Sequence, residues 1–330
     1  MEPVAALERI AFLLEREDAS PYRVKAFRTA ADAARTLPGG PVDAARAARL
    51  PGVGPKTAQV IAEASAGGVP GYLAELEERA GPLAEGADEL RTALKGDCHL
   101  HSDWSDGGSP IEVMARTARD LGHEWAVLTD HSPRLTVANG LSADRLREQL
   151  EVVAALNREL APFRLLTGIE CDILDDGSLD QEDGLLAELD LVVASVHSRL
   201  RMERAPMTRR LLAAVRNPLV DVLGHCTGRR VGDRPRPESQ FDAEAVFAAC
   251  AESGTAVEIN SRPDRRDPPT GLMHLAIRAG CVFTVDSDAH APGQLDWQAY
   301  GCARAAAAGI GPDRIVNTRS ADDLLAWTAA

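Results

Sequence analysis

Along the chain, apolar residues first recur with the period of a helix and then, past Lys95, collect into short runs. Between Val4 and Arg79 the spacing of Val4, Leu7, Ala11 and Leu14, and again of Val24, Phe27, Ala31 and Ala34, gives successive segments one apolar stripe each. This pattern predicts a small all-helical module over residues 1–80. The stretch 81–95 carries Gly81, Pro82 and Gly86 and reads as a linker. Over 96–330 there follow seven aliphatic runs: Gly96–His101, Trp125–His131, Arg164–Glu170, Leu189–His197, Val220–His225, Thr255–Asn260 and Cys281–His290. Segments with helical patterning separate them, among them Ser142–Leu160, Asp242–Glu252 and Gly271–Ala279, which suits parallel strands joined by helical crossovers. Ser109, Pro110 and Glu112 read as N-cap, first turn and N3 of a capping box.

Nearly every run ends in a histidine or a carboxylate. In a closed parallel barrel the carboxyl ends of the strands form the mouth where active sites gather, and the ligand-type residues lie at those positions. His99 and His101 are two apart, so on an extended strand both point to one face and can share an ion. Asp106 follows on the loop, and later runs add His131, Glu170, His197, His225, Asp288 and His290. Six of the chain's eight histidines and three carboxylates are thus placed alike. A single such histidine is ordinarily a hydrogen-bonded core residue, but six in equivalent positions call for a common cause. Nitrogen and oxygen donors without thiolates suit Zn, Mn or Fe. Nine ligands exceed the needs of one ion and suffice for two or three divalent ions. In such a centre one ion activates water and another stabilises the leaving oxygen of a phosphate ester. Arg229 and Arg262 stand closest to ligand-bearing turns and are the candidate catalytic clamps on non-reacting phosphate oxygens. Cys98, Cys171 and Cys226 neighbour presumed ligands, and strand alternation assigns them to the opposite face, as core.

Composition narrows the picture. An apolar share of 45% with ordinary charge content marks a globular protein, and no apolar run is long enough to span a bilayer. The start MEPVAALERI lacks the basic-then-apolar order of a secretory signal. Six scattered cysteines without a CxxC pair read as reduced thiols. A cytoplasmic protein without disulfides and without membrane partners is expected. The net charge of −14 argues against a protein that coats nucleic acid. From Ser20 to Lys56, however, seven basic residues face two acidic ones, a local +5 onto which a polyanion could dock.

Taken together, GDCHLHSDWSDG (96–107), LTDHS (128–132), GIECDIL (168–174), ASVHS (194–198), LGHCTGR (223–229), VEIN (257–260) and DSDAH (286–290) resemble the PHP phosphoesterase family, named for polymerase and histidinol phosphatase. The resemblance is to the PHP domain of bacterial family X DNA polymerases and covers about residues 95–327. It implies an α/β fold, a distorted (β/α)7 barrel preceded by a small all-α helix-hairpin-helix domain. It also implies a trinuclear centre at His99, His101, Asp106, His131, Glu170, His197, His225, Asp288 and His290, with no ligand position lost. Cys226 departs from the proline usual in the polymerase-linked relatives.

The segments SPYRVKAFRTAA (20–31) and LPGVGPKTAQVIAE (50–63) are similar to the small helical domain of those polymerases. Gly52 and Gly54 permit a tight turn whose amides, beside Lys56, are the candidate DNA-phosphate contacts. Val60 falls where lyase-active animal relatives carry a Schiff-base lysine, so lyase chemistry is not expected there. Only a linker separates the two parts, which leaves no palm or fingers for polymerisation. The leading expectation is a metal-dependent phosphatase on a small phosphorylated substrate, like histidinol phosphatases. The alternatives are a 3′–5′ exonuclease or 3′-end-processing enzyme in DNA repair, touching DNA through residues 20–63, and a DNA-binding adaptor with structural metal.

Overall fold

A computed structural model describes residues 1–232 and 234–329. The chain divides into two compact units, one of Met1–Pro82 with Pro292–Gln294, the other of Leu83–Ala291 with the chain from Leu295 onward.

The first unit carries α1 (Pro3–Arg16), α2 (Pro21–Ala34), α3 (Ala44–Ala47), α4 (Pro55–Ser65) and α5 (Gly71–Arg79). Prolines open α1, α2 and α4, where a missing N–H leaves no bond unmade. The apolar stripe of α1, Leu7, Ile10 and Leu14, is fully buried against Phe27, Ala31, Ile61, Leu73 and Leu76. Each such side chain contributes about 1.5–3 kcal/mol on burial. Within this core the buried Glu15 carboxylate accepts two hydrogen bonds from Arg28, at 2.7 and 3.0 Å.

The second unit opens with the short helix α6 (Asp88–Ala93), which occupies part of the stretch expected as a linker. Strands and helices then alternate: β1 (Gly96–Leu100), α7 (Ile111–Asp120), β2 (Trp125–Leu128), α8 (Ala143–Leu160), β3 (Arg164–Asp172), α9 (Asp183–Leu186), β4 (Leu191–Ser195), α10 (Arg204–Val215), β5 (Val222–Leu223), α11 (Ala243–Ser253), β6 (Ala256–Asn260), α12 (Thr270–Ala279) and β7 (Phe283–Asp286). Helices α13 (Gln298–Ala307) and α14 (Ala321–Thr328) complete it. The seven strands stand in sequence order, each parallel to the next, as the alternation of runs predicts.

The seam between β7 and β1 makes the barrel nearly closed. One parallel bridge, Leu100 to Ala289, joins the two edges, and the His101 amide donates to Ala289 O at 2.8 Å. Below it side chains replace the ladder. The Cys98 amide donates to Asp286 Oδ1 at 3.0 Å, and the Ser287 amide and hydroxyl donate to the Asp97 carboxylate at 3.2 and 2.5 Å. Asn317 donates to Gly96 O, Val285 O and Asp286 Oδ1. Burial, and then the charge of Asp286, push the Asp97 carboxyl up to about 8; burial, and then Glu258, push Asp286 up to about 6.

Two local expectations are corrected. Pro110 is the N-cap of α7 and no side chain caps it, because Glu112 pairs with Arg116 at 2.8 Å instead of reaching back. Cys98 does not alternate onto the helix-facing side. A register shift in β1 lets it join Trp125, Val127, Leu166, Val193, Val222 and Ala256, whose period-2 partners point into the barrel. Cys171 and Cys226 lie in the large cluster beneath the helices, and all six cysteines are buried and free.

Candidate metal centre

The strand ends bring the nine candidate ligands together. Glu170, at the inward-facing end of β3, is the hub. Its Oε1 lies 2.8 Å from His225 Nε2 and 3.1 Å from His197 Nε2, and its Oε2 lies 2.9 Å from His131 Nδ1, 3.3 Å from His99 Nε2 and 3.6 Å from His101 Nε2. Asp288 Oδ1 approaches His101 Nε2 at 3.5 Å, and Asp106 Oδ1 approaches His131 and His290 at 3.4 and 3.3 Å. Three groups of donor atoms each lie within 4.8 Å of one another: His101 with Asp106, His131 and His290; His99 with His101 and Glu170; His131 with Glu170 and His197.

Whether cations fit is decided by what the nitrogens otherwise lack. His99 Nε2, both nitrogens of His101 and His197, His131 Nδ1 and His225 Nδ1 are buried and make no hydrogen bond. An unmet buried polar atom costs about 1–3 kcal/mol, and seven such nitrogens on five imidazoles would be a severe burden unless positive ions take the one lone pair that each neutral ring offers. The donor set is imidazole and carboxylate, suited to borderline and hard divalent ions. The centre is open on one side. His99, His101, Glu170, His225 and Asp288 are at most 1% exposed, whereas the side chains of His290 and Asp106 are 19% and 38% exposed.

Burial opposes every charge here, and neighbours set the balance. Against burial, Glu170 and Glu258 hold His99 well above its usual range, and Glu170 with Asp106 lifts His131 to about 10. Burial, reinforced by His290 and His131, keeps His101 low; burial, reinforced by Arg265, keeps His225 low. Despite burial, histidines hold Glu170 well below the usual carboxylate range, and Arg265 and Arg262 do the same for Asp288. Two carboxylates thus stay ionised inside the fold, a standing attraction for cations.

The loops are braced for this task. Buried Asp130 accepts from the Ser102 amide at 2.8 Å, from the Ser102 and Ser105 hydroxyls at 2.5 Å and from Gln149 at 2.7 Å, which pins the loop bearing Asp106. Gly107 is required there, since a Cβ would stand 2.6 Å from Ser102 O. Asp288 takes a left-handed φ of 50° just past β7.

Of the candidate arginines, Arg262 reaches the centre, with Nη1 3.1 Å from His290 Nδ1 and its guanidinium over Trp297. Arg229 does not. Its guanidinium bonds the carbonyls of Arg265 and Arg266 and pairs with Glu238 at 3.4 Å, so it braces a loop. That loop presents Arg265, whose Nε lies 2.9 Å from Asp288 Oδ2. Arg265 is among the arginines that follow the sixth run and were open as clamps, whereas sequence reasoning passed over Glu258, Asn260, Asp130 and Asp172 as site residues, the last 3.4 Å from His197 Nδ1. A usable signal existed: Asp172 is two residues from Glu170 and so shares its face.

In the helical unit, Gly52 adopts φ of 76° and a Cβ there would meet Thr29 at 2.5 Å. The Gly54 amide, expected to be open to a phosphate, donates to Thr57 Oγ1 at 3.0 Å. Lys56 Nζ stands 3.6 Å over the Tyr72 ring, where Arg23 also stacks. Val60 is buried.

The family model for the helix-hairpin-helix domain matches residues 1–69, and that for the PHP domain matches residues 97–262. The DNA polymerase/3′-5′ exonuclease PolX of Bacillus subtilis (strain 168) is 38% identical over 234 residues, 71% of this chain and 41% of that protein. A probable phosphatase of Thermoanaerobacter sp. (strain X514) is 31% identical over 59% of this chain and 78% of its own length. A probable phosphatase of Syntrophotalea carbinolica is 29% identical over 67% and 90%. This chain therefore spans less than half of the polymerase but most of the phosphatases. Among solved structures, histidinol phosphate phosphatase from Lactococcus lactis, complexed with zinc, L-histidinol and phosphate, shares the fold with a TM-score of 0.50 and 21% identity, over 66% of this chain and 95% of that one. Barrel and site together define a metal-dependent phosphoesterase. The chain belongs to the PHP-domain family. No helix among the described residues is long and apolar enough to cross a membrane.

Proposed function

We propose that this chain is a phosphatase that releases phosphate from a small phosphorylated molecule, with His99, His101, Asp106, His131, Glu170, His197, His225, Asp288 and His290 holding two or three ions of Zn, Mn or Fe. The carrying observation is the cluster of buried imidazole nitrogens without hydrogen bonds, ranged about Glu170 and open toward Asp106 and His290. When bound, the ions supply a water of lowered pKa and positive charge for the leaving oxygen. The chain's own groups do the rest. Glu170 and Asp288 supply fixed negative charge, and the Asp130 network holds the Asp106 loop in place. Arg262 and the buried Arg265 place guanidinium groups beside Asp288 and His290, where planar forks match phosphate oxygens. The likeness to probable phosphatases along most of their length supports the phosphatase reaction. Free cysteines throughout support a reducing, cytoplasmic setting.

A second reading, a 3′–5′ exonuclease or 3′-end-processing enzyme, draws on the 38% identity to the polymerase/exonuclease and on the helical hairpin with Gly52 and Lys56 as a guide for DNA. The Mn-loaded 330-residue chain offered histidinol phosphate, an aryl phosphate and a 3′-labelled oligonucleotide separates the two. Release of inorganic phosphate from the monoesters is expected. Shortening of the oligonucleotide without monoester turnover would overturn the first reading and leave the second.

A further inference from the structure

Six of the seven strands, or the loops that follow them, contribute to the nine candidate ligands; β6 contributes none. Its two inward polar residues nevertheless touch three of the ligands. Glu258 Oε1 lies 2.6 Å from His99 Nδ1, and its Oε2 accepts the His225 amide at 2.5 Å. Asn260 Nδ2 donates to Glu258 Oε2 at 3.2 Å and to Asp288 Oδ2 at 2.9 Å, while its Oδ1 accepts the Arg262 amide at 3.1 Å. Both residues are fully buried. Glu258 falls in none of the three groups of donor atoms, and the polar atoms of both residues are bound to the ligands or to the chain beside them.

We propose that β6 is the positioning strand of the metal centre, in which Glu258 sets the tautomer of His99 and Asn260 selects the oxygen of Asp288 that faces the ions. This rests on the ligand assignment above. A carboxylate only accepts, so in the neutral ring that an ion requires, the proton of His99 resides on Nδ1 and the lone pair of Nε2 is turned to the cluster, where that nitrogen has no hydrogen bond. Asn260 and Arg265 both occupy Asp288 Oδ2, leaving Oδ1 to face His101. His225 is held through its backbone, which fixes where its ring begins. The three ligands come from β1, from the turn after β5 and from the turn after β7, so one strand registers ligands on both of its neighbours and, by way of His99, across the seam.

The isosteric change Glu258→Gln tests this. One amide oxygen cannot accept from His99, His225 and Asn260 at once, so an NH2 faces one of them; facing His99, it forces the proton onto Nε2 and removes that ligand. In the whole 330-residue chain, Co(II) titration followed by visible absorption, with metal content by mass spectrometry, is expected to show about 10- to 100-fold weaker uptake and an altered Co(II) spectrum. Asn260→Ala is expected to weaken uptake in the same direction, and Glu258→Asp, which keeps the acceptor, to recover part of the loss. Thermal melting of the metal-free proteins checks folding, and Asn260→Ala decides should Glu258→Gln be unfolded. Wild-type protein that takes up no ion overturns the ligand assignment and this inference with it. Wild-type uptake with unchanged affinity and spectrum in the folded variants overturns this inference alone.

Discussion

In the helical unit the ion pairs Arg9–Glu77, Arg35–Glu8 and Arg79–Glu17 involve side chains 34–58% exposed, and the interior is almost wholly Leu, Ile, Ala and Phe. In the barrel, Glu170, Glu258 and Asp288 are at most 1% exposed and lie among imidazoles and guanidinium groups. Exposed pairs are worth about 0–1 kcal/mol, whereas a buried charge that loses its partner costs about 3–5 kcal/mol. The helical unit therefore derives its stability from its apolar stripes. The barrel stakes both stability and chemistry on a polar interior in which each member needs the others.

The sharpest way to break the contrast is at the hub. Glu170→Gln keeps the shape but removes the charge that faces five imidazoles. Phosphatase activity is expected to fall by more than the roughly 100-fold that loss of an outer partner produces, with metal content reduced in parallel by mass spectrometry. Full activity at full metal content would remove Glu170 from the centre. Next come the two candidate arginines, which the structure separates. Arg262→Gln deletes one charge-assisted bond to phosphate, about 1.5–3 kcal/mol, so KM for a phosphate monoester should rise about 10- to 100-fold. Arg229→Gln strands the carbonyls of Arg265 and Arg266 and should lower the melting temperature more than it raises KM. The reverse ranking would return Arg229 to the clamp.

A third test uses a buried group far from the strand ends. Burial, and then the charge of Arg91, depress His123 to about 3, below the roughly 6.5 of an unfolded histidine. The folded state holds His123 neutral, so its stability is complete above pH 6.5 and is lost as pH falls toward 3. By pH 5 this amounts to roughly 2 kcal/mol. His123→Leu should flatten the acid limb of the stability curve in denaturant melts. Carried out on metal-free protein, the comparison cancels the histidines of the centre, which titrate in both. An unchanged acid limb would mean that His123 reaches water.

The barrel was legible because its ligands punctuate its strands: a run of aliphatic residues ending in His131 or His225 declares both a strand and its direction. The partners of those ligands were harder to see. Glu258 and Asn260 sit in VEIN and look like ordinary strand polarity until β5 and β7 are placed on either side. Asp97 and Asp286 stitch the seam only because the ladder fails there, and the register shift in β1 that admits Cys98 to the interior has no local signature. The capping box and the open Gly54 amide were misjudged for a related reason. Glu112 found Arg116, and Thr57 took the Gly54 amide, because side chains a few residues along a helix compete on equal terms.

The smallest expected effect lies on the helical surface and sharpens the comparison from its other side. Arg35 stands 57% exposed and pairs with Glu8, 40% exposed, at 2.5 Å. Water already solvates both groups, and holding two long side chains in one geometry costs entropy that offsets most of the Coulomb gain. Arg35→Ala should therefore lower unfolding free energy by no more than about 1 kcal/mol in urea melts, and less at high salt, where the Debye length is only about 3 Å at 1 M. Half-buried Arg28 makes two bonds to Glu15, so Arg28→Ala should cost several times more, for the carboxylate it abandons is 5% exposed. Equal losses at the two sites would mean that burial does not set the worth of a charge in this unit, and the division drawn between helical unit and barrel would lose its physical basis.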